Sequence, residues 1–284
     1  MEYPDQKALD ANFTLDSISD LDALFARRAR AAKAALAEYE VVRGIAYGSD
    51  PSETLILFPA RSAKGPPPVQ VFIHGGFWSS LAAADFAFVA AGFVPHGAAV
   101  AVIDYPLIPK VRLGDIVRSC MRAVGYLYSN GSDHSIDPER IFLSGNSAGA
   151  HLIIELMDRP RLNDAGLPAD AVKGGTAISG LYDLRSIMAS FRNEQLGFTA
   201  EEVAEFSPLL RKTEIASPVI ATVGATEMPE FVDQTERLVQ HCRENGTPVE
   251  HLLPEADHIT IVLDHFAVPG TALNRAALRQ MGLA

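Results

Sequence analysis

The sequence has 284 residues, of which 48% are hydrophobic and 21% are charged. This composition is typical of a folded globular enzyme and excludes an intrinsically disordered chain. The formal net charge is −11 at pH 7. Nucleic acid and anionic membrane surfaces are therefore not expected as partners, because both would be repelled at long range.

The first residues and the cysteines favour a cytoplasmic protein. The N-terminus lacks the basic and apolar regions of a signal peptide, and no apolar run approaches the roughly 20 residues that span a bilayer. Cys120 and Cys242 are far apart and belong to no paired motif, as expected for free thiols in a reducing compartment. A homodimer is compatible with the sequence, but no feature predicts one.

Residues 1–40 are predicted to form a helical segment that could cap a site. Apolar residues recur at helix-like spacing between residues 21 and 36. Four basic residues lie between them: Arg27, Arg28, Arg30 and Lys33. A solvated helix face is the favoured interpretation of these charges, and an anion-binding site is the alternative.

Residues 41–284 alternate between short apolar runs and helical stretches and are interpreted as one domain. Strands are predicted at 41–47, 54–58, 69–73, 99–103, 141–143, 175–178, 218–223 and 249–253. Helices are predicted at 111–128, 147–157, 231–242 and 271–281. The alternation predicts an α/β fold whose eight-stranded, mostly parallel sheet is flanked by helices, with its first two strands forming an antiparallel edge. Residues 185–208 are a second candidate cap.

The string Gly-Asn-Ser-Ala-Gly at 145–149 predicts a nucleophile elbow around Ser147. An apolar strand precedes it and an apolar helix follows, which is the context that a G-x-S-x-G motif requires. Glycines two positions before and after the serine relieve crowding where the chain reverses sharply. The alternative is a serine that only caps the helix.

A loop of sequence His-Gly-Gly-Phe-Trp follows the predicted strand 69–73. In hydrolases with such an elbow, the loop after the third strand and the residue after the nucleophile donate backbone N–H groups to the oxyanion. Gly75, Gly76 and Ala148 are the predicted donors. His74 is interpreted as a structural residue that holds the loop.

A serine nucleophile needs a histidine base and a carboxylate, in the chain order serine, acid, histidine. His258 follows the predicted strand 249–253 in a loop and is the expected base, with His265 as the alternative. Glu227 follows the strand 218–223 and is the expected acid. Glu230 and Asp233 begin the next helix, where the helix dipole already accounts for acidic residues.

Five residues are predicted to contact substrate because they lie in or near these loops and offer aromatic or amide groups. They are Phe77, Trp78, Tyr105, Asn146 and Tyr182. Each of the aromatic residues could instead belong to the hydrophobic core.

These motifs together resemble kynurenine formamidase (arylformamidase) and its relatives, near the hormone-sensitive-lipase-like esterases. The resemblance rests on the His-Gly-Gly-Phe-Trp loop, on residues 147–152, on Glu-Met-Pro-Glu-Phe at 227–231 and on Asp257-His258. It implies an α/β-hydrolase fold and a cofactor-free serine hydrolase of small amides or esters. Two residues depart from the family pattern: Glu227 replaces the usual aspartate, and Asn146 replaces a histidine before the nucleophile.

The expected function is therefore cleavage of a formamide, N-acyl amide or ester through an acyl-enzyme intermediate. A short-chain carboxylesterase is the first alternative, because amides and esters are cleaved by the same machinery. A non-catalytic ligand-binding relative is the second. No metal is expected, since the sequence lacks H-E-x-x-H and paired ligands at metal-binding spacing.

Overall fold

The fold is built on one sheet of eight strands, in the order β1-β2-β4-β3-β5-β6-β7-β8. The computed structural model describes residues 4–61 and 65–284. The strands are β1 (Val42–Ala46), β2 (Thr54–Phe58), β3 (Val69–Ile73), β4 (Ala99–Ile103), β5 (Ile141–Asn146), β6 (Val172–Ile178), β7 (Val219–Thr222) and β8 (Val249–Leu252). Strand β2 is antiparallel to both β1 and β4, and all other neighbours are parallel.

Helices connect the parallel strands and cover both faces of the sheet. They are α1 (Gln6–Ala11), α2 (Leu21–Glu38), α3 (Ala90–Phe93), α4 (Leu113–Asn130), α5 (Ala148–Leu156), α6 (Arg159–Asp164), α7 (Arg185–Ala189), α8 (Asn193–Leu196), α9 (Ala200–Glu205), α10 (Pro208–Arg211), α11 (Pro229–Glu244) and α12 (Ala272–Gln280). Short 3-10 segments cover Ala83–Val89, Val94–His96 and Gly131–His134, and Ile261–Phe266 is π-helical.

The sheet separates two hydrophobic clusters, because strands buried on both faces direct alternate side chains to opposite sides. Val71 and Ile73 of β3 belong to the cluster that contains α4 and α5. Phe72, between them, belongs to the cluster that contains Phe86 and Phe266. Because β3 to β8 are parallel, their carboxyl ends lie at one edge of the sheet. The loops that carry the predicted site residues leave the strands at this edge.

The predicted α/β-hydrolase architecture is confirmed, including the eight strands and the antiparallel edge. The predicted bounds of β2, β3 and β4 coincide with those observed. Strand β5 is longer than predicted and continues to Asn146, because Gly145 and Asn146 pair with Ala177 and Ile178 of β6.

The segment at 1–40 contains the helices α1 and α2, and residues 1–3 lie outside the described part of the chain. Helix α2 packs against the 3-10 segment Ala83–Val89. Its Arg27 forms an ion pair with Asp264 of the π-helical segment. Helix α2 is thus docked on the same face of the sheet as the π-helical segment that follows His258.

Candidate active site

Ser147 occupies a sharp turn between the end of β5 and the start of α5. Its backbone has φ 58° and ψ −119°, a conformation that an L-residue adopts only at a cost of about 1–3 kcal/mol. The Ser147 N–H donates to the Ile178 carbonyl at 2.9 Å, which fixes the turn against β6. A strained, anchored serine at a strand–helix junction is the geometry of a nucleophile elbow.

The flanking glycines are required by close backbone packing. A Cβ atom on Gly149 would lie 2.0 Å from the Ile73 carbonyl oxygen, and one on Gly145 would lie 2.4 Å from the Gly149 carbonyl. Real side chains do not tolerate such distances. These two glycines therefore let α5 leave the elbow directly over the end of β3.

His258 and Glu227 are brought together although 31 positions separate them in the sequence. The distance from His258 Nδ1 to Glu227 Oε2 is 2.6 Å, and both residues are buried. Glu227 Oε1 accepts hydrogen bonds from Ser179 Oγ at 2.5 Å and from the Gly224 N–H at 2.7 Å. A carboxylate held in this way can orient the imidazole and stabilise its protonated form.

The loops that carry the two residues are joined by backbone hydrogen bonds. The Ala225 N–H donates to the Pro254 carbonyl at 2.8 Å, and Thr226 Oγ1 donates to the Ala256 carbonyl at 2.9 Å. Gly224 is essential to this contact, because a Cβ atom there would lie 2.1 Å from the Ala256 oxygen. The pairing of Glu227 with His258 is therefore built into the backbone.

Gly75 and Gly76 lie beside the elbow. A Cβ atom on Gly75 would approach the Asn146 carbonyl oxygen to 2.8 Å, and Gly76 has φ +104°. No described residue accepts a hydrogen bond from the backbone N–H of Gly75, Gly76 or Ala148. These three N–H groups are available to a ligand next to Ser147.

His74 and Tyr105 stabilise the loop that contains Gly75 and Gly76. The two rings stack with centroids 4.3 Å apart, and Tyr105 Oη donates to the His74 carbonyl at 2.8 Å. The His74 ring nitrogen Nδ1 lies 2.8 Å from the Gly75 carbonyl oxygen. Burial lowers the pKa of His74, so the ring stays neutral near pH 7. The structural role predicted for His74 agrees with this position.

The candidate site opens into a cavity of about 450 Å³. Ser147, His258, Gly75 and Gly76 line it, together with the predicted substrate contacts Phe77 and Asn146. Asn146 is held by a hydrogen bond of 3.4 Å from its Nδ2 to the Ile178 carbonyl.

The other three predicted substrate contacts lie elsewhere. Trp78, Tyr105 and Tyr182 are fully buried and are not part of the cavity wall. Trp78 packs edge-on against His151 in the core, and the backbone N–H of Tyr182 donates to Gln234 Oε1 at 2.5 Å. All three anchor loops near the site, so the expectation that they touch substrate does not match their positions.

Several cavity residues were not predicted from the sequence. They are Leu15, Phe25, Arg28, Ser80, Leu81, Phe86, Phe88, Arg192, Ile259 and Val262. Half of them come from the N-terminal segment and from the 3-10 segment Ala83–Val89, which no motif connects with the elbow. Arg28 belongs to the basic group whose alternative interpretation was an anion site; Arg27, Arg30 and Lys33 are exposed.

Comparison with known proteins agrees with this geometry. A family model described as BD-FAE matches residues 55–157, about a third of the chain. Kynurenine formamidase from Danio rerio is 27% identical over 229 residues, covering 78% of this chain and 76% of that protein. The chain is therefore similar to a kynurenine formamidase over most of the length of both proteins.

Other proteins are also similar in sequence or fold. An Oryza sativa protein named as a probable isoprenylcysteine alpha-carbonyl methylesterase is 29% identical over 60% of this chain and 44% of its own length. A crystal structure from Silicibacter sp. tm1040 has a TM-score of 0.80 at 26% identity and covers 94% of this chain and 96% of that one. The carboxylesterase EstE1 has a TM-score of 0.72 at 18% identity, covering 93% and 97%, and shows the shared fold.

Within 4–61 and 65–284, no helix combines the length and apolar character needed to cross a bilayer. In the same ranges, His, Cys, Asp and Glu residues form no group of three or more that could hold a metal ion.

Proposed function

We propose that this protein is a serine hydrolase of the kynurenine formamidase-like branch that cleaves a small amide or ester, with Ser147, His258 and Glu227 as its catalytic triad. The observation that carries the proposal is the His258–Glu227 hydrogen bond of 2.6 Å at a cavity that Ser147 also lines. The similarity to kynurenine formamidases supports amide substrates, and the similarity to a methylesterase supports esters.

In the proposed mechanism, Ser147 Oγ attacks the substrate carbonyl while His258 Nε2 takes the hydroxyl proton. His258 Nδ1–H donates to Glu227, which stabilises the imidazolium that forms. The oxyanion accepts hydrogen bonds from the N–H groups of Gly75, Gly76 and Ala148, each worth about 10²–10³ in rate if lost. His258 then protonates the leaving amine or alcohol and activates the water that releases the acid.

An organophosphate directed at serine hydrolases tests the proposal. We expect stoichiometric covalent labelling of Ser147 in the unmodified protein and none in Ser147→Ala, whose kcat should fall on the order of 10⁶-fold. Ser129→Ala is the matched control, because Ser129 is exposed and outside this cavity. Equal labelling of Ser147→Ala would reject Ser147 as nucleophile, and no labelling of the unmodified protein would favour a ligand-binding relative.

The substrate bond is identified by a hydrolysis screen. Formanilides, N-acyl amino acids and p-nitrophenyl esters of graded chain length present the same carbonyl chemistry with different leaving groups. We expect amides to be cleaved alongside activated esters. Rapid turnover of short esters with every amide left intact would assign the short-chain carboxylesterase instead.

A further inference from the structure

Two arginine side chains line the otherwise largely apolar cavity around Ser147. Arg28 comes from α2, and Arg192 immediately precedes α8. The remaining walls are mainly aromatic and aliphatic, including Phe25, Phe77 and Phe86. Cations at an apolar cavity wall are costly unless something compensates them.

Neither guanidinium is neutralised by the residues that the structure describes. No ion pair within 4.0 Å joins Arg28 or Arg192 to a carboxylate of residues 4–61 or 65–284, although Asp85 acts electrostatically on Arg28 and Asp16 on Arg192. Asp85 is otherwise engaged, because its Oδ2 accepts the Ala82 N–H at 3.0 Å. The two positive charges at the cavity are thus left without an ion-pair partner.

Both guanidinium groups are held by ring faces. Arg192 lies over Phe77 and Phe191, with its central carbon 4.3 and 4.8 Å from the ring centroids. Arg28 lies over Phe25 and Phe86 at 5.1 and 5.4 Å. Stacking occupies the face of a guanidinium and leaves its edge, which carries the N–H donors, free for a planar anion.

Arg192 is oriented further by one hydrogen bond. Its Nε donates to the Phe13 carbonyl at 2.9 Å, which leaves the two terminal nitrogens as donors. Partial burial lowers the pKa of both arginines, yet a guanidinium remains protonated in proteins. Each is therefore a partly desolvated cation, for which an anion in the cavity is a favourable partner.

We infer that the substrate carries a carboxylate, and that Arg28 and Arg192 bind it while the amide or ester carbonyl reaches Ser147. This inference rests on the proposed hydrolase function and specifies its substrate class: an aromatic or aliphatic amide or ester with one acidic group. The arginines act as specificity residues, and they offset the repulsion that a protein of net charge −11 exerts on an anion.

Matched ester pairs test this inference, with the carboxylate placed on either side of the scissile bond. The acyl-side pair is the p-nitrophenyl half-ester of glutaric acid and its methyl ester. The leaving-group pair is 3-acetoxybenzoate and its methyl ester. In the unmodified protein, we expect kcat/KM for the acidic member of at least one pair to exceed that of its neutral partner about tenfold.

Arginine variants then show which side chains cause the preference for the acidic substrate. The ratio of acidic to neutral kcat/KM should fall about tenfold, to near 1, in Arg28→Gln or Arg192→Gln, as expected for a lost charge-assisted contact, and Arg192→Lys should restore part of it. Arg30→Gln is the matched control: Arg30 is an exposed residue of α2 outside the cavity, so removing the same charge there should leave the ratio unchanged.

The outcomes separate this inference from the proposed function. Hydrolysis of both members of both pairs without discrimination, or equal ratios in all variants, overturns the carboxylate site and leaves the hydrolase intact. If neither the esters of these pairs nor any amide is cleaved, and Ser147 is not labelled by the organophosphate, the hydrolase is overturned and the inference with it. Inhibition of the unmodified protein tests the inference without any variant. The inhibition constant of benzoate should be at least tenfold lower than that of benzamide. Equal inhibition constants would count against the carboxylate site.

Discussion

At the scale of single residues, the acid of the proposed triad is a glutamate whose two oxygens have different partners. Oε2 faces His258 Nδ1, whereas Oε1 accepts from Ser179 Oγ and the Gly224 N–H. An aspartate at the same backbone position is one methylene shorter and would not reach both sets of partners. The longer side chain is thus matched by a serine and a glycine amide that hold its far oxygen.

This geometry predicts a strong effect of removing the charge of Glu227. Glu227→Gln should lower kcat on the order of 10⁴-fold, because the neutral amide neither fixes the imidazole tautomer nor stabilises the imidazolium. Glu227→Asp should retain more activity than Glu227→Gln, since the charge remains. The measurement is kcat with active-site titration of each variant.

Glu255→Gln is the control for this comparison, because Glu255 is an exposed residue of the loop that carries His258. It should behave like the unmodified protein. If Glu227→Gln kept more than a tenth of the original kcat, the acid would have to be another carboxylate, and Glu230 and Asp233 would be tested next.

At the scale of secondary-structure elements, the close packing of α5 against the end of β3 requires a glycine at position 149. Gly149→Ala would place a methyl group about 2 Å from the Ile73 carbonyl oxygen and push the helix away from the elbow. We expect a loss of roughly 3 kcal/mol or more in the free energy of unfolding, the size typical of overpacking a buried contact. Urea denaturation followed by circular dichroism measures it.

Gly125→Ala is the matched substitution, since Gly125 lies within α4 and a Cβ atom there meets nothing within 4 Å. Alanine should raise the free energy of unfolding by about 0.5–1 kcal/mol, the helix-propensity difference between the two residues. Equal effects of the two substitutions would show that the close approach of α5 to β3 is not required.

Elements with strong local signals could be predicted from the sequence, and the others depend on distant contacts. Strand β4 is a continuous apolar run between turns, and β3 is apolar except for Gln70, so the limits predicted for both agree with those observed. Gly145 and Asn146 have low strand propensity, and only pairing with β6 extends β5 through them. The π-helical segment Ile261–Phe266 was missed, because a short apolar run does not distinguish a helical turn from a strand.

The same distinction applies to the candidate site. Ser147 and the glycine loop each lie within a few residues of a strand end, so a motif suffices to propose them. No motif predicts the cavity walls. Arg28 and Arg192 are far apart in the sequence, and both line the cavity only because the tertiary fold brings them there. Trp78 was assigned to the substrate because it is aromatic, but aromatic character does not decide between core and cavity.

At the scale of the whole molecule, Phe13 connects the N-terminal segment to α11 and, through it, to His258. This side chain is 1% exposed, and its ring centroid lies 6.5 Å from that of Phe231. Phe231 in turn contacts the His258 ring at 4.7 Å. The neighbouring Asn12 Oδ1 accepts the Glu230 N–H at 3.0 Å. The segment therefore shares the hydrophobic core of the α/β domain.

If the segment and the domain unfold as one unit, Phe13→Ala should destabilise the entire protein. The expected loss is about 3–5 kcal/mol, as for other buried phenylalanines that are truncated to alanine, within a single cooperative urea transition. Phe191→Ala is the control, because Phe191 is 39% exposed and should cost less than about 1 kcal/mol. A second, earlier transition in Phe13→Ala, with the main transition unshifted, would instead show that the first forty residues unfold independently and that the cavity wall they supply can open while the sheet stays folded.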